Sequence, residues 1–263
     1  MSPEARRARY RLFEHYLAKG SVGLAEATLE PFGPPLEGSF NAWARLYERQ
    51  GRLAEWQDVV ERWLAQARRR TDQPREDDRN LEITLLTQLA SVYAQQDAWA
   101  LAEQQLREAL GLFDQVQAQR RRERSGTPPA VAAALSSMVT LRRVELIVQH
   151  ADALRALCRW QEADQRYMAG LDALDRRDAS VAELTGRTAA YDSHRAVIQN
   201  ELRARLLRGR AAVLRELGTF DAAQVAEAEA ARLQAEVQAF RTEAARTALE
   251  ARERSLQETG PEL

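Results

Sequence analysis

The chain has few of the residues that build disulfides, turns and β structure. Among its 263 residues there are one Cys, 12 Gly and 8 Pro. The lone Cys158 excludes an internal disulfide and is typical of a reducing compartment, where a single thiol more often fills a small gap in a core than acts as a nucleophile. With 45% hydrophobic and 29% charged residues, the composition favours a soluble all-α protein over a disordered or many-turned β chain.

Long apolar runs and an excess of one charge are also missing. No apolar run approaches the ~20 residues that a membrane-spanning helix needs, and the charged N-terminal stretch lacks the apolar core of a signal peptide. The 38 basic and 39 acidic residues nearly cancel, so non-specific binding to nucleic acid is not expected. Lys19 is the only lysine, an arginine bias typical of a GC-rich genome. We expect a cytoplasmic, bacterial protein with no membrane or nucleic-acid partner.

The sequence contains no constellation of residues that supports catalysis. The histidines, His15, His150 and His194, are far apart, and none stands at metal-ligand spacing from another His or from Cys158. No glycine-rich phosphate loop follows a strand-like segment, and no serine stands in a nucleophile motif. We therefore predict a non-enzymatic protein with no cofactor and no bound metal.

The stretch from Leu86 to Leu110 is typical of two consecutive helices that pack on each other. Apolar and small residues recur there at three- and four-residue steps, in two sets that each share a helix face: Leu86, Leu89, Ala90 and Tyr93, then Trp99, Ala102, Leu106 and Ala109. Asp97, between the two sets, is expected to cap the second helix. Helices this close in sequence pack antiparallel, with Ala90 and Ala102 where the backbones come nearest.

The same intervals occur five times along the chain. They relate Tyr16, Gly20, Val22, Ala25, Leu29 and Phe32; Tyr47, Gly51, Leu53, Trp56, Val60 and Trp63; Tyr93, Asp97, Trp99, Ala102, Leu106 and Ala109; Leu154, Cys158, Trp160, Ala163, Tyr167 and Gly170; and Leu214, Gly218, Phe220, Ala223, Glu227 and Ala230. This pattern resembles the tetratricopeptide repeat (TPR), a helix-turn-helix unit. The resemblance implies an all-α, right-handed TPR-like solenoid of antiparallel helical hairpins, with about five helical pairs.

Two residues and the repeat spacing depart from the TPR pattern. Trp56 stands where the family has alanine, so the second unit is expected to splay or repack its helices. Glu227 replaces an apolar residue in the fifth unit. Only the first two units are separated by close to the ~34 residues of the family norm, so we expect insertions or longer helices in the later units.

Proline-containing breakers predict the domain organisation. The segment "RRRTDQPREDDRN" indicates a linker over 67–80 after the first two helical pairs. We predict a TPR-like array over 1–230, followed by an extended C-terminal helix and tail over 231–263.

Capping signals predict long helices in the C-terminal half. Thr127 followed by Pro128 is typical of an N-cap and first helical residue, so a helix is expected from about Pro128 to Leu157. Ser180 with Glu183 resembles a capping box, which would begin another helix that runs to about residue 217, with Gly186 as its weakest point.

The segment from Phe220 to Glu258 contains no helix breaker. Its apolar seam steps by four and three residues, as in a coiled coil: Leu233, Val237, Phe240, Ala244, Thr247 and Ala251. Because the seam is poor in leucine, we interpret the segment as a capping helix packed back along the array. A homodimer formed through this helix is the alternative.

Three arginines share one face of the first helix in the fifth unit: Arg205, Arg208 and Arg215. In the TPR family the first helices line a concave groove, and the resemblance places these arginines there, with Asp152 and Arg155 at corresponding positions of the fourth unit. Arginine can bind a carboxylate through two parallel hydrogen bonds. We predict that these five residues bind a partner protein through an acidic peptide segment. A solvated helix surface is the alternative.

The TPR resemblance implies a protein-protein interaction adaptor, a scaffold that binds a peptide or helix of a partner in its groove. A regulatory sensor array is the alternative function, in which a peptide or small ligand changes the curvature of the array. Neither function requires a cofactor.

Overall fold

The computed structural model describes residues 3–29, 40–69, 76–123, 129–184 and 189–258. Within these ranges the chain forms ten α-helices and no strand, which confirms the predicted all-α class. The helices are α1 (Pro3–Ala18), α2 (Val22–Leu29), α3 (Phe40–Arg49), α4 (Leu53–Arg69), α5 (Glu76–Gln95), α6 (Trp99–Glu123), α7 (Pro129–Ala156), α8 (Trp160–Leu184), α9 (Ala189–Glu216) and α10 (Phe220–Glu258).

Two compact units divide the chain, Met1–Ala118 and Gln119–Leu263. Unit 1 contains α1 to α5 and most of α6, and unit 2 contains α7 to α10. The sequence-based boundary between residues 230 and 231 lies within α10. The division into 1–230 and 231–263 remains a prediction.

The first five helices of unit 1 have 8 to 20 residues and pack in chain order. Helix α1 packs on α2, α3 on α4 and α4 on α5. Large apolar side chains from successive helices are buried: Phe13, Leu29, Leu46, Trp56, Leu86 and Phe113. Arg68, near the end of α4, forms ion pairs with Glu82 of α5 and Glu108 of α6. Arg68 lies within the predicted linker 67–80 and joins α4 to α5 and α6. Both ends of that predicted linker are helical, since α4 continues to Arg69 and α5 begins at Glu76.

The helices of unit 2 are long, as the wide spacing of the later repeats predicts. Helices α7 and α9 have 28 residues each, α8 has 25 and α10 has 39. At 1.5 Å per residue, α9 is ~42 Å long. Helices α7 and α8 form one hairpin, α9 and α10 form the next, and α9 also contacts α7 and α8. The core between α7, α8 and α9 includes Val144, Val148, Leu154, Tyr167, Leu174 and Leu206.

The five turns of the repeat pattern have the same backbone hydrogen bonds. The N–H groups of Ser21, Arg52, Ala98, Arg159 and Thr219 donate to the carbonyl groups of Tyr16, Tyr47, Tyr93, Leu154 and Leu214, respectively, over 2.8 to 2.9 Å. A bond that spans five residues in this way ends a helix in a Schellman motif, which places the residue before the donor in the left-handed conformation. Each acceptor is the first residue of a repeat in the sequence, so all five turns lie where the pattern predicts them.

The left-handed residue differs between the turns. It is glycine in three of them and an L-residue in two: Gly20, Gly51 and Gly218, then Asp97 and Cys158, with φ of 57° and 56° for the last two. Asp97 therefore terminates α5, and Ala98 directly precedes α6, so the prediction that Asp97 caps the second helix is wrong. The turn also holds Cys158 at the surface, where it is exposed, so the expectation of a core thiol is wrong as well.

The repeat position where the TPR family has alanine, near the start of each second helix, is buried in all five units. It is alanine in four units and tryptophan in the second. Ala25, Trp56, Ala102, Ala163 and Ala223 are each at most 1% exposed. The large Trp56 fits in the second unit because it stacks on Tyr47, with ring centroids 5.3 Å apart. The Arg52 guanidinium lies 4.9 Å from the Tyr47 ring centroid. The repacking predicted from Trp56 is thus an aromatic stack between α3 and α4.

The long helices match one boundary prediction and correct another. Helix α7 ends at Ala156, close to the predicted Leu157, while Thr127 and Pro128 lie outside the described residues. The capping box at Ser180 and Glu183 is wrong, because α8 continues through both residues to Leu184. Serine and glutamate cost little inside a helix whose apolar face is packed, so the pattern alone does not begin a helix. Residues 185–188 lie outside the described residues.

The first half of α10 packs along α9. Its residues Ala223, Ala226, Ala230 and Leu233 form a buried cluster with Ala204, Leu207, Ala211 and Leu214. Farther along the predicted seam, Val237 is buried, Phe240 is 39% exposed, and Ala244 and Thr247 are exposed. The side chain of Ala251 lies outside the described residues. The packing up to Val237 agrees with a capping helix, and a homodimer through the remainder stays a prediction.

Candidate protein-interaction groove

Unit 2 contains a groove of about 510 Å³ between α7, α9 and α10. Helix α9 forms its floor, since it packs against both other helices. The α9 residues that line it are Ile198, Glu201, Leu202, Ala204, Arg205 and Arg208. Apart from Ala204, they recur at three- and one-residue steps on one face of the helix and span ~15 Å along its axis. We call this site the α9 groove.

Polar pairs fix α8 against α9 in one register. Arg210 pairs with Asp164, Arg203 with Asp175, and Arg177 with Gln199. The partner numbers fall on one helix as they rise on the other, so α8 and α9 are antiparallel. Because α7 and α8 form a hairpin, α7 runs in the same direction as α9. These contacts hold α9, the floor of the groove, against α8.

Charge is distributed unevenly along the α9 groove. Toward the start of α9, Glu201 forms an ion pair with Arg241 of α10, so these two charges cancel. Toward the end, Arg205 and Arg208 line the groove beside the neutral Gln234. The charged residues of the described lining are Arg142, Glu145, Glu201, Arg205, Arg208 and Arg241. Four arginines against two glutamates make the groove cationic, with the excess at Arg205 and Arg208.

Arg205 is held by Asp152 of α7 at the edge of the groove. The Asp152 Oδ2 atom lies 3.4 Å from the Arg205 Nη2 atom, while its Oδ1 atom accepts a hydrogen bond of 2.6 Å from the Tyr167 hydroxyl. Burial raises the pKa of Tyr167 above its ordinary value, and the Asp152 carboxylate raises it further, whereas the guanidinium of Arg155 lowers it. Asp152 therefore contacts both the Tyr167 hydroxyl and the Arg205 guanidinium, and Arg155 lies near the same hydroxyl.

Arg208 and Arg215 lie in different surroundings. Arg208 is exposed in the groove, and its guanidinium has a long contact of 3.4 Å from Nε to the Ala204 carbonyl. No carboxylate of the described part of the chain pairs with Arg208. Arg215, two turns farther along α9, forms an ion pair with Glu227 of α10 and is not part of the groove lining. Glu227, the residue that departs from the TPR pattern, thus has a partner across the hairpin.

Several groove residues were not identified from the sequence. Helix α10 contributes Gln234, Gln238 and Arg241 to one wall, and α7 contributes Arg142 and Glu145 to the other. The α10 residues recur at four- and three-residue steps beside the buried seam, a signal that could have assigned them to one face. On α7, Arg142 and Glu145 precede the predicted Asp152 by ten and seven residues, a spacing that also indicates a shared helix face.

Unit 1 contains a second groove, of about 620 Å³, between α1 and α3. Its charged lining consists of Glu14, Arg45, Glu48 and Arg49, and Glu14 pairs with Arg45. First helices thus line a groove in unit 1 too. Its two acidic and two basic residues balance, unlike the charges of the α9 groove.

Metal and membrane sites are not found in the described ranges. No group of three or more His, Cys, Asp and Glu residues there has an arrangement suited to a metal ion. Among the described helices, none combines the length and hydrophobicity that crossing a membrane requires.

Comparison with solved structures identifies the fold. The crystal structure of kinesin light chain nearly identical TPR-like repeats from Podosopora anserina superposes with a TM-score of 0.51 at 20% sequence identity, covering 90% of this chain and 99% of that one. The chain has a TPR-like helical repeat fold. A second similar structure is BtubC (BKLC) from P. vanneervenii, with a TM-score of 0.38 at 15% identity, covering 89% of this chain and 90% of that one. No protein-family model and no curated protein sequence matches the chain.

Proposed function

We propose that this TPR-like protein is a non-enzymatic interaction scaffold that binds an acidic segment of a partner protein in the α9 groove. The observation that carries the proposal is the pair of exposed arginines at one end of this groove. Among the described residues, Arg208 has no carboxylate partner and Arg205 has only the long contact to Asp152. Both can therefore turn toward a bound carboxylate at little cost.

The rigid surroundings of the two arginines favour binding. Their helix, α9, is packed against α7, α8 and α10 and carries the buried residues Leu206 and Leu207 between them. A preformed groove loses little conformational entropy when a ligand enters it. The bidentate geometry of guanidinium and carboxylate adds direction to the charge attraction. The partner segment is expected to place two carboxylates within ~5 Å along α9, the axial separation of Arg205 and Arg208.

We expect the other predicted partner-binding residues to contribute less to the affinity for the partner than Arg205 and Arg208 do. Arg215 is paired with Glu227, Asp152 accepts a hydrogen bond from the Tyr167 hydroxyl, and Arg155 lies close enough to lower the pKa of Tyr167. Each of them would have to exchange an internal contact for a contact to the partner. We therefore expect charge reversal at Arg208 to weaken binding more than charge reversal at Arg215.

Binding of a fluorescein-labelled hexaglutamate peptide, followed by fluorescence anisotropy, tests the proposal. We expect Arg208→Glu to weaken binding by about tenfold or more, since it replaces an attraction by a repulsion in the groove. Arg166→Glu is the matched control, because Arg166 is an exposed arginine of α8 outside the groove lining. A hexaglutamine peptide controls for binding that does not depend on charge.

Equal weakening by the Arg208→Glu and Arg166→Glu variants would show that hexaglutamate senses only the overall charge, and would contradict the proposal. Binding that is indifferent to salt would contradict it too, because exposed charges are screened by salt. Small-angle scattering of the same complex addresses the sensor alternative. A peptide-dependent change in the radius of gyration would favour that function.

A further inference from the structure

Asp152 occupies a position from which it competes for Arg205. Its side chain is 30% exposed and lies at the edge of the α9 groove, whereas the Arg205 side chain is 48% exposed. Asp152 lies on α7 and Arg205 on α9, so their ion pair connects the first helices of two consecutive hairpins. Asp152 thus presents to Arg205 the same chemical group that the proposed acidic ligand would present.

The two members of this ion pair differ in freedom to move. Tyr167 is completely buried, and its hydroxyl donates a hydrogen bond of 2.6 Å to Asp152. If Asp152 swung away, the buried hydroxyl would lose this acceptor, which makes the carboxylate costly to displace. Arg205 has a long, half-exposed side chain and a contact of 3.4 Å, beyond the usual length of a strong charged hydrogen bond. Arg205 is therefore the member that moves.

We infer that Asp152 is an internal competitor that lowers the affinity of the α9 groove for acidic ligands by holding Arg205. The inference rests on the proposed function of this groove. In the ligand-free protein, Arg205 is turned toward Asp152, and of these two arginines only Arg208 can bind a carboxylate without giving up an ion pair. An acidic segment first meets Arg208 and then draws Arg205 away from Asp152.

This arrangement affects ligands with one carboxylate and ligands with two carboxylates differently. A single carboxylate can be bound by Arg208 without disturbing Arg205. A ligand with a second carboxylate about one helical turn away must compete with Asp152 for Arg205. Asp152 therefore reduces the gain in affinity that a second carboxylate brings, and without the Asp152 charge the groove would prefer clustered over isolated acidic side chains more strongly.

Removal of the Asp152 charge tests the inference. In Asp152→Asn the side-chain carbonyl still accepts the Tyr167 hydrogen bond, while the charge that holds Arg205 is gone. We expect fluorescein-labelled hexaglutamate to bind about two- to fivefold more tightly, the range that corresponds to an exposed ion pair. A second variant, Asp152→Ser, also retains an acceptor and should show the same direction of change. Circular dichroism verifies that both variants are folded.

Two further variants separate competition from a general gain of positive charge. Asp175→Asn makes the same charge change at a residue that pairs with Arg203 outside the groove lining, and it should leave the affinity unchanged. In an Arg205→Gln background, Asp152→Asn should have no effect on binding, because there is no arginine left to release.

The outcomes distinguish this inference from the proposed function. If Arg208→Glu does not weaken hexaglutamate binding relative to Arg166→Glu, the proposed function and the inference are both wrong. If Arg208→Glu does weaken it, but Asp152→Asn binds no more tightly than Asp175→Asn, only the competition is wrong. Tighter binding that persists without Arg205 would likewise overturn the competition and leave the groove assignment intact.

Discussion

Gly209 of α9 lies directly against the aromatic ring of Tyr167 on α8. A Cβ atom at position 209 would lie 2.4 Å from the Tyr167 Cζ atom. One turn away on the other helix, a Cβ atom at Gly170 would lie 2.7 Å from the Leu206 Cδ2 atom. Each helix therefore offers a glycine to a large side chain of the other, and this close approach sets the position of the groove floor.

Gly209→Ala should destabilise the protein. An alanine gains ~1 kcal/mol of helix propensity over glycine, but the clash with the buried Tyr167 ring should cost more, for a net loss of about 1–3 kcal/mol. Gly111→Ala on α6 is the control, because nothing lies within 4 Å of its Cβ position. That substitution should stabilise the protein by ~1 kcal/mol. Denaturant unfolding measures both, and a gain of stability in Gly209→Ala like that expected for Gly111→Ala would contradict the close approach at Gly209.

Ala102→Arg tests the alanine position of the best-matching repeat. Ala102 is completely buried near the start of α6, so arginine would place a charge without a partner in the core and force its neighbours apart. We expect a loss of several kcal/mol in the free energy of unfolding. Ala100→Arg makes the same substitution at an exposed residue of the same helix and should change stability by less than ~0.5 kcal/mol. Similar melting temperatures for the two variants would refute the repeat packing.

Asp97→Gly should stabilise the turn between α5 and α6. Asp97 has a φ of 57°, a conformation that costs an L-residue more than glycine, which occupies the same place in three other turns. We expect a gain of about 0.5–1 kcal/mol, since aspartate tolerates this conformation better than most residues. Gly51→Ala, the reverse change at an equivalent turn, should cost ~1 kcal/mol. Thermal unfolding of both variants checks the assignment, which a loss of stability in Asp97→Gly would contradict.

Tyr167 should make stability fall at alkaline pH. Its pKa is raised in the folded protein, first by burial and then by Asp152, so folding favours the protonated hydroxyl. This contribution is fully present below the unfolded pKa of ~10 and is lost progressively as the pH rises above it. Tyr167→Phe, which cannot ionise, should show a smaller loss of unfolding free energy between pH 9 and pH 11. An identical loss in both proteins would indicate that other groups cause the alkaline dependence.

Much of the fold could be predicted from the sequence because its determinants are local. Tyr93, Asp97 and Ala102 stand at intervals fixed by one turn and two helix faces, and the same intervals locate all five turns. Local patterns gave wrong predictions where the same residues are compatible with two different structures. Asp97 can cap a helix or end one in the left-handed conformation, and Ser180 with Glu183 can begin a helix or lie within it.

The groove was only partly predictable because it depends on contacts distant in sequence. Helical periodicity places Arg205 and Arg208 on one face, but it does not show that Asp152 holds Arg205 or that Glu227 holds Arg215. Those pairings depend on how far one helix is shifted along the next. That shift is set by core contacts between helices, such as those of Leu207 and Ala211 on α9 with Ala226 and Ala230 on α10, which no spacing in the sequence reveals.

The most direct test of the central claim is to locate the bound acidic ligand on the protein. A hexaglutamate peptide with a benzophenone group at one end can be photo-crosslinked to the intact chain and the adducts mapped by mass spectrometry. We predict crosslinks within 198–208 of α9 and 234–241 of α10, and their loss in Arg208→Glu but not in Arg166→Glu. Crosslinks confined to α1 and α3, or unaffected by Arg208→Glu, would contradict binding of an acidic segment in the α9 groove.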